Sequence, residues 1–237
     1  MFDAYVKDMD LVKKVLQTWP EVLDKKILAW DKNEFAKLQP FIKEHYWIGN
    51  ATINIFRVAG SQHPDYIDMT WLEFLQKGKR MGLNLRLYEQ NPGYYREFTK
   101  KEPTMYFQSI DGGKLFIGQD GNHRTAIARA SFYFRGEPNL HGVEVNDYQI
   151  DWPLKKAYDE LSMFIASKRL PYHVEPVTKL IKREDSGGWM VDIYRPMIKV
   201  IDTARGQQSV QDMEGIMALS LKLKKKKNIF EKIFSLI

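Results

Sequence analysis

An apolar, strand-like run that passes through a short polar turn into a helix-forming segment constrains this chain more than any other feature. Leu115-Phe116-Ile117 is apolar, Gly118-Gln119-Asp120-Gly121-Asn122 is turn chemistry, and His123-Arg124-Thr125-Ala126-Ile127-Ala128-Arg129-Ala130 favours helix. Gly121 admits a backbone conformation that a side chain forbids. A helix opened in this way leaves its first N–H groups without intrahelical acceptors and presents the positive end of its dipole. The run therefore demands a strand and a helix joined tightly. It also places a carboxylate (Asp120), an imidazole (His123) and a guanidinium (Arg124) where an anion would be held.

The flanking patterns extend this unit. Met105 to Ile110 and Lys114 to Gly118 form a hairpin pattern around Asp111-Gly112-Gly113. Ala51 to Ala59 and Val143 to Ile150 are strand-like, and Leu83, Leu85 and Leu87 alternate with polar residues, which predicts a further strand. Thr70 and Glu73 make a capping-box pattern ahead of Trp71, Leu72, Phe74 and Leu75. Before residue 51 the spacing is helical: Tyr5 to Trp19, Val22 to Trp30, and Glu34 to Ile42 with a bend at Pro40. After residue 150, Pro153 to Lys168 reads as a helix. Val174 to Lys182 and Trp189 to Ile201 read as a hairpin around Ser186-Gly187-Gly188, and Ser209 to Ile237 as a helix. The class this predicts is α+β. Its regions are a helical N-terminal part (1–50), a small mixed-sheet domain (51–150), a helix and hairpin extension (151–216) and a basic amphipathic tail (217–237).

Composition narrows the chemistry. No cysteine is present, which removes disulfides, thiolate zinc sites and cysteine nucleophiles, and is compatible with a reducing cytoplasm. With 44% hydrophobic residues in 237, the chain can bury a sizeable core. Six lysines and one acid follow Ile216, so the tail carries +5 of the net +6 and the body is nearly neutral. Basicity is thus a local property, and pI does not imply a nucleic-acid-binding face on the body. Nothing at the N-terminus has the form of a signal peptide, and no stretch approaches the roughly 18 uninterrupted apolar residues of a membrane span.

Ile117-Gly118-Gln119-Asp120-Gly121-Asn122-His123-Arg124, with Ala126 and Ala130, resembles the signature of the ParB/sulfiredoxin-like superfamily. Its members place a short turn of the D-G-x-H-R kind between a strand and an alanine-rich helix, and use it to hold nucleotide phosphates. The resemblance spans about residues 51–150 in loose topology. It implies a nucleotide- or nucleic-acid-phosphate-binding protein, an NTPase or nuclease using Mg2+ with ATP or CTP, from a plasmid or phage. Sulfiredoxin carries a cysteine in this turn; its absence here excludes sulfinic-acid reduction. Clamp-type partition proteins have an arginine-rich turn where this chain has Asn122-His123.

On that resemblance, the backbone and side chains of Gly121, Asn122, His123, Arg124 and Thr125 hold phosphate. Asp120, His123 and Arg124 are the catalytic candidates, and Asp120 is also a candidate metal ligand. The competing reading of the same residues is a plain strand-to-helix connection, with Asp120 as cap and Arg124 solvated. A non-catalytic DNA-binding or partner-binding regulator on the same scaffold is the alternative function. Arg129 reads as a solvated helix charge. The histidines have no metal-site spacing, and Glu89 and Glu97 can supply supporting carboxylates. Lys222, Lys224, Lys225, Lys226 and Lys227 precede a stripe of Ile229, Phe230, Ile233, Phe234 and Ile237. This tail suits a nucleic acid, an anionic membrane surface or a protein partner, or else docks on its own domain.

Overall fold

Segments of helical and strand period do alternate in the structure, which is of the α+β class with a mixed sheet. The computed structural model describes residues 4–234, with side chains described over residues 6–225. The elements in chain order begin with α1 (Asp10–Thr18), α2 (Glu21–Asp24), β1 (Leu28–Ala29), α3 (Lys32–Leu38), β2 (Ile42–Asn54) and β3 (Val58–Ser61). Then come α4 (Trp71–Lys77), α5 (Met81–Gln90), β4 (Tyr106–Ile110), β5 (Leu115–Ile117), α6 (Asn122–Arg135) and β6 (Asn139–Ile150). The last are α7 (Trp152–Ser167), β7 (Tyr172–Ser186), β8 (Trp189–Asp202), β9 (Gln207–Gln211) and α8 (Met213–Phe234).

Two compact units are each assembled from segments far apart in sequence, so neither coincides with a contiguous region of the chain. One comprises the residues up to Lys32 with His45–Tyr148 and Glu184–Val191; the other comprises Asn33–Glu44, Gln149–Arg183 and the chain from Asp192.

In the first unit the strand order is β1-β3-β5-β4-β6-β2. The β4–β5 hairpin is antiparallel, with Phe107 opposite Ile117, as its alternation and Asp-Gly-Gly turn predict. The chain then crosses through α6 and returns as β6, parallel to β4 in a register running from Tyr106 opposite Glu144 to Ile110 opposite Tyr148. On its other side β5 pairs parallel with β3. Helix α6 packs among α1, α2, α4 and α5. Its Ala126, Ala128 and Ala130 are fully buried, and such small side chains let the neighbouring helices approach closely. Around it lie Val12, Val15, Leu23, Ile55, Trp71, Phe74, Leu85, Phe107, Ile117 and Phe132 in one apolar cluster. Each large side chain so buried contributes about 1.5–3 kcal/mol. Helix α4 opens with the predicted capping box, Thr70 accepting from the Glu73 N–H and Glu73 from that of Thr70.

The second unit has α7 against α8 and β8 antiparallel to β9, with Ile198 opposite Gln211. Its buried side chains include Phe41, Leu154, Leu161, Ile165, Ile198, Ile216 and Leu223. Phe41 meets Tyr158 at 5.5 Å between ring centroids. Buried Asp192 is held by Arg183 through two bonds of 2.6 and 2.8 Å. Ile216 and Leu223 seat α8 in its own unit.

Four local expectations are corrected. Leu83, Leu85 and Leu87 lie on a helix, α5, with Leu85 buried and the other two exposed. Residues 22–30 form the short α2 and a two-residue strand, β1, parallel to β3. Strand β2 begins at Ile42, well before residue 51. Ser209 to Gln211 belong to β9, and the terminal helix starts at Met213. Among the described residues, no helix is long and apolar enough to cross a membrane.

Candidate functional site

The turn that opens α6 is pinned to the start of β4. The Tyr106 N–H donates to the Asp120 carbonyl at 3.1 Å, and the Gly118 N–H to that of Tyr106 at 2.8 Å. Gly121 is the N-cap residue and has φ +116°, a backbone state that a side chain rarely adopts. A Cβ there would also press on the Met105 side chain at 3.3 Å. The glycine thus brings the first turn of α6 directly over β4.

From this corner the predicted residues go four separate ways. Asp120 Oδ1 accepts from the Gly121 N–H at 2.5 Å, and Oδ2 from Arg124 Nη2 at 2.9 Å. Asp120 therefore serves Arg124 and its neighbour's N–H rather than the second or third N–H of the helix. Asn122 turns inward, its Oδ1 accepting from the buried Ser61 hydroxyl at 2.6 Å. Thr125 is fully buried, and its hydroxyl finds no partner.

His123 leaves on another side. Its ring sits 5.2 Å from that of Phe74 and 5.7 Å from that of Tyr66. Its Nε2 lies 2.5 Å from the Lys79 carbonyl. A carbonyl only accepts, so Nε2 carries the hydrogen. Burial lowers the His123 pKa below the usual histidine value, opposed by the Lys79 carbonyl and by Asp120. The ring is accordingly neutral at neutral pH.

Arg124 is the predicted residue that faces an open cleft together with Asp120. Its guanidinium donates to the Tyr94 hydroxyl at 2.7 Å, to the Thr104 carbonyl at 3.3 Å, to the Pro103 carbonyl and to Asp120. The cleft has a volume of about 400 Å3 and is lined also by Asn84, Leu87, Tyr88, Asn91, Tyr95 and Glu102. Tyr94 in turn stacks edge-on against Tyr95 and lies 5.2 Å below the Lys101 ammonium. Lys101 is almost fully buried and gives a hydrogen bond of 2.7 Å to the Glu97 carbonyl; burial lowers its pKa. Burial likewise raises the Tyr94 pKa, with Arg124 pulling the other way.

Sequence reasoning left most of this wall unnamed. Asn84, Leu87, Tyr88 and Asn91 follow the spacing i, i+3, i+4, i+7, which is one face of a helix. That signal was present, but it loses to the Leu83/Leu85/Leu87 alternation when the segment is read as a strand. The carboxylate that joins Asp120 in lining the cleft is Glu102, and neither Glu89 nor Glu97 lines it.

Arg129 overturns the solvated expectation. It is 2% exposed and donates to three backbone carbonyls, of Ile55 (2.9 Å), Val58 (3.0 Å) and Val22 (2.8 Å). Its guanidinium stacks 4.7 Å from the Trp71 ring. In the tail, Lys222, Lys224 and Lys225 are exposed on α8. Lys226, Lys227 and the stripe from Ile229 to Ile237 lie outside the described side chains.

Among the described residues, no three histidine or acidic side chains gather as a metal site. Asp120 and Glu102 both line the cleft, a donor set that suits Mg2+ only in company with a ligand's own oxygens. Comparison of the chain with protein-family models, with curated proteins and with solved structures finds no match in any of the three.

Proposed function

We propose that this protein binds a nucleotide, or the phosphate of a nucleic acid, at the Asp120–Arg124 turn. The observation that carries this reading is the cleft itself: a volume of about 400 Å3 beside the first turn of α6, lined by Arg124 and Asp120 together with Tyr88, Tyr94, Asn84 and Asn91. Aromatic faces stack on bases, amide side chains read their edges, and an arginine guanidinium receives phosphate. Asp120 is the exchangeable partner of Arg124, since the carboxylate is 54% exposed while the guanidinium is 13% exposed. A phosphate oxygen that takes its place inherits a charge-assisted bond already aligned. Mg2+ accompanying ATP or CTP would meet Asp120 and Glu102, and would neutralise phosphate charge beside those carboxylates.

The position of His123 favours a second reading within the same site, a binding protein without turnover. Its protonated nitrogen is committed to the Lys79 carbonyl, and its ring packs on Phe74. The group suited to proton transfer is therefore engaged on a face of its own, and it does not line the cleft.

A thermal-shift titration with ATP and CTP, with and without Mg2+, tests the proposal on the whole chain. A nucleotide at about 100 times its Kd adds about 2.7 kcal/mol of stability. Arg124→Lys keeps the charge and loses the fork, and is expected to weaken binding about tenfold. No shift with any nucleotide or with a single-stranded oligonucleotide overturns the proposal. Nucleotide turnover that survives His123→Ala would show that catalysis, if present, does not use that ring.

A further inference from the structure

A second cavity of the first unit is lined by Lys25, Lys26, Arg57, Lys114 and Arg129, with Phe56 and Trp71 among its apolar walls, and has a volume of about 610 Å3. No carboxylate lines it. Among the described residues, none of these five cations is ion-paired with an acid. Five like charges around one hollow repel each other and raise the local concentration of anions.

Two further observations distinguish this cavity from a solvated basic patch. First, Arg129 is buried, yet all its acceptors are neutral carbonyls, and its Nε is buried with no acceptor at all. Carbonyls and a ring face recover only part of the desolvation cost of a buried cation that has no counter-charge, and an unmet buried donor adds to that cost. Burial lowers the pKa of this guanidinium to about 10. Second, the rim is braced. Arg57 donates to the carbonyls of Gly112 and Gly113, at 2.8 Å for the latter, so the hairpin turn that carries Lys114 is tied to the cavity wall. The three basic segments come from the 25–26 linker, the stretch before β3 and the β4–β5 turn, and the fold collects them over one buried arginine.

We infer that this cavity is a binding site for a phosphate-bearing ligand, with Arg129 as its buried cation and Lys25, Lys26, Arg57 and Lys114 as its rim. Phosphate fits the donors better than a lone carboxylate does, because it offers several oxygens and up to two charges to a ring of separate cations. The site is independent of the Asp120–Arg124 cleft, with which it shares no lining residue.

The test uses the full chain and inorganic pyrophosphate, titrated by calorimetry at low salt, against Lys26→Gln/Lys114→Gln. Both lysines are exposed, so the double variant is expected to melt at the wild-type temperature without ligand. Pyrophosphate affinity is expected to fall about tenfold or more on the double substitution, in the wild-type chain and in an Arg124→Lys background alike, which separates this cavity from phosphate binding at the Asp120–Arg124 cleft. A single-stranded oligonucleotide forms a second arm. If it alone binds, with the same dependence on Lys26 and Lys114, the phosphate comes from a nucleic acid; if pyrophosphate binds, a free phosphate ester suffices. The inference is overturned if neither probe binds, or if both bind the double variant as tightly as the wild type.

Discussion

Arg124 and Arg129 stand five residues apart on the same helix and are treated in opposite ways. Arg124 donates to a carboxylate, a phenol and two backbone carbonyls, and so leaves its cleft with the charge already answered. Arg129 donates to three carbonyls and to no carboxylate, in a cavity that holds four more cations. Each site therefore attracts a different kind of ligand. A ligand at Arg124 must compete with Asp120, which favours selectivity through the aromatic and amide walls. A ligand at Arg129 displaces no acid, and its affinity should depend strongly on salt.

The largest effect is expected at Arg129. Arg129→Met keeps much of the volume but leaves the carbonyls of Ile55, Val58 and Val22 without their donor, so it is expected to cost about 3 kcal/mol or more in urea unfolding. A loss under about 1 kcal/mol would mean that the guanidinium is not what ties these segments together. Arg124→Ala should follow, with a cost of about 1–3 kcal/mol and a roughly tenfold or greater loss of nucleotide affinity. Unchanged nucleotide binding in the folded variant would remove Arg124 from the site. Asp120→Asn should have a smaller effect on stability. Its half-exposed ion pair should be worth less than about 1 kcal/mol. Freed of the carboxylate, Arg124 should bind Mg2+-free nucleotide more tightly. Weaker Mg2+-free binding in this variant would mean that Asp120 contacts the ligand itself.

The smallest effect concerns pH. Because the folded-state pKa of His123 lies below its unfolded value of about 6.5, the unfolded chain binds the proton first. The contribution of a neutral His123 is full above that value and is lost as pH falls through the folded-state pKa. Stability from pH 7 toward pH 5 should therefore decline more gently in His123→Gln than in the wild type. Parallel profiles would show that the ring is not protected by the fold.

Local chemistry made the centre of this fold legible, and distant partners hid the rest. The hairpin of β4 and β5, the glycine entry to α6, the capping box of α4 and the helix after Pro153 all depend on residues within a few positions of one another, and each forms as its pattern predicts. Helix α5 was masked because three alternating leucines imitate a half-buried strand, whereas the fold buries Leu85 and leaves Leu83 and Leu87 exposed. Strand β1 is two residues long and exists through its pairing with β3. At the candidate site, Asp120 and Arg124 were readable as a pair four residues apart on a helix start. The inward turn of Asn122 and Thr125 was not, because Ser61 and the core that receive them come from elsewhere in the chain. Arg129 fails for the same reason, as its three acceptors belong to segments about 70 to 110 residues away. The terminal helix shows both sides. Its helical spacing was visible, while the burial of Ile216 and Leu223 depends on the unit into which they fold.

One glycine of β6 has a reach that its position conceals. Gly142 has φ +73°, and a Cβ built there would lie 1.9 Å from the Thr99 carbonyl oxygen, where only a hydrogen fits. Its own carbonyl accepts from the Lys101 N–H at 2.7 Å. The loop that supplies Tyr94, Glu102 and Pro103 to the cleft is thereby clasped to the sheet, beside the contact of Phe98 with His141. In a saturation library of this chain, position 142 should tolerate no other residue without opening that clasp. Variants there should lose ligand binding at the cleft before they lose the sheet. Mutational tolerance would then map the cleft from a residue that never touches it.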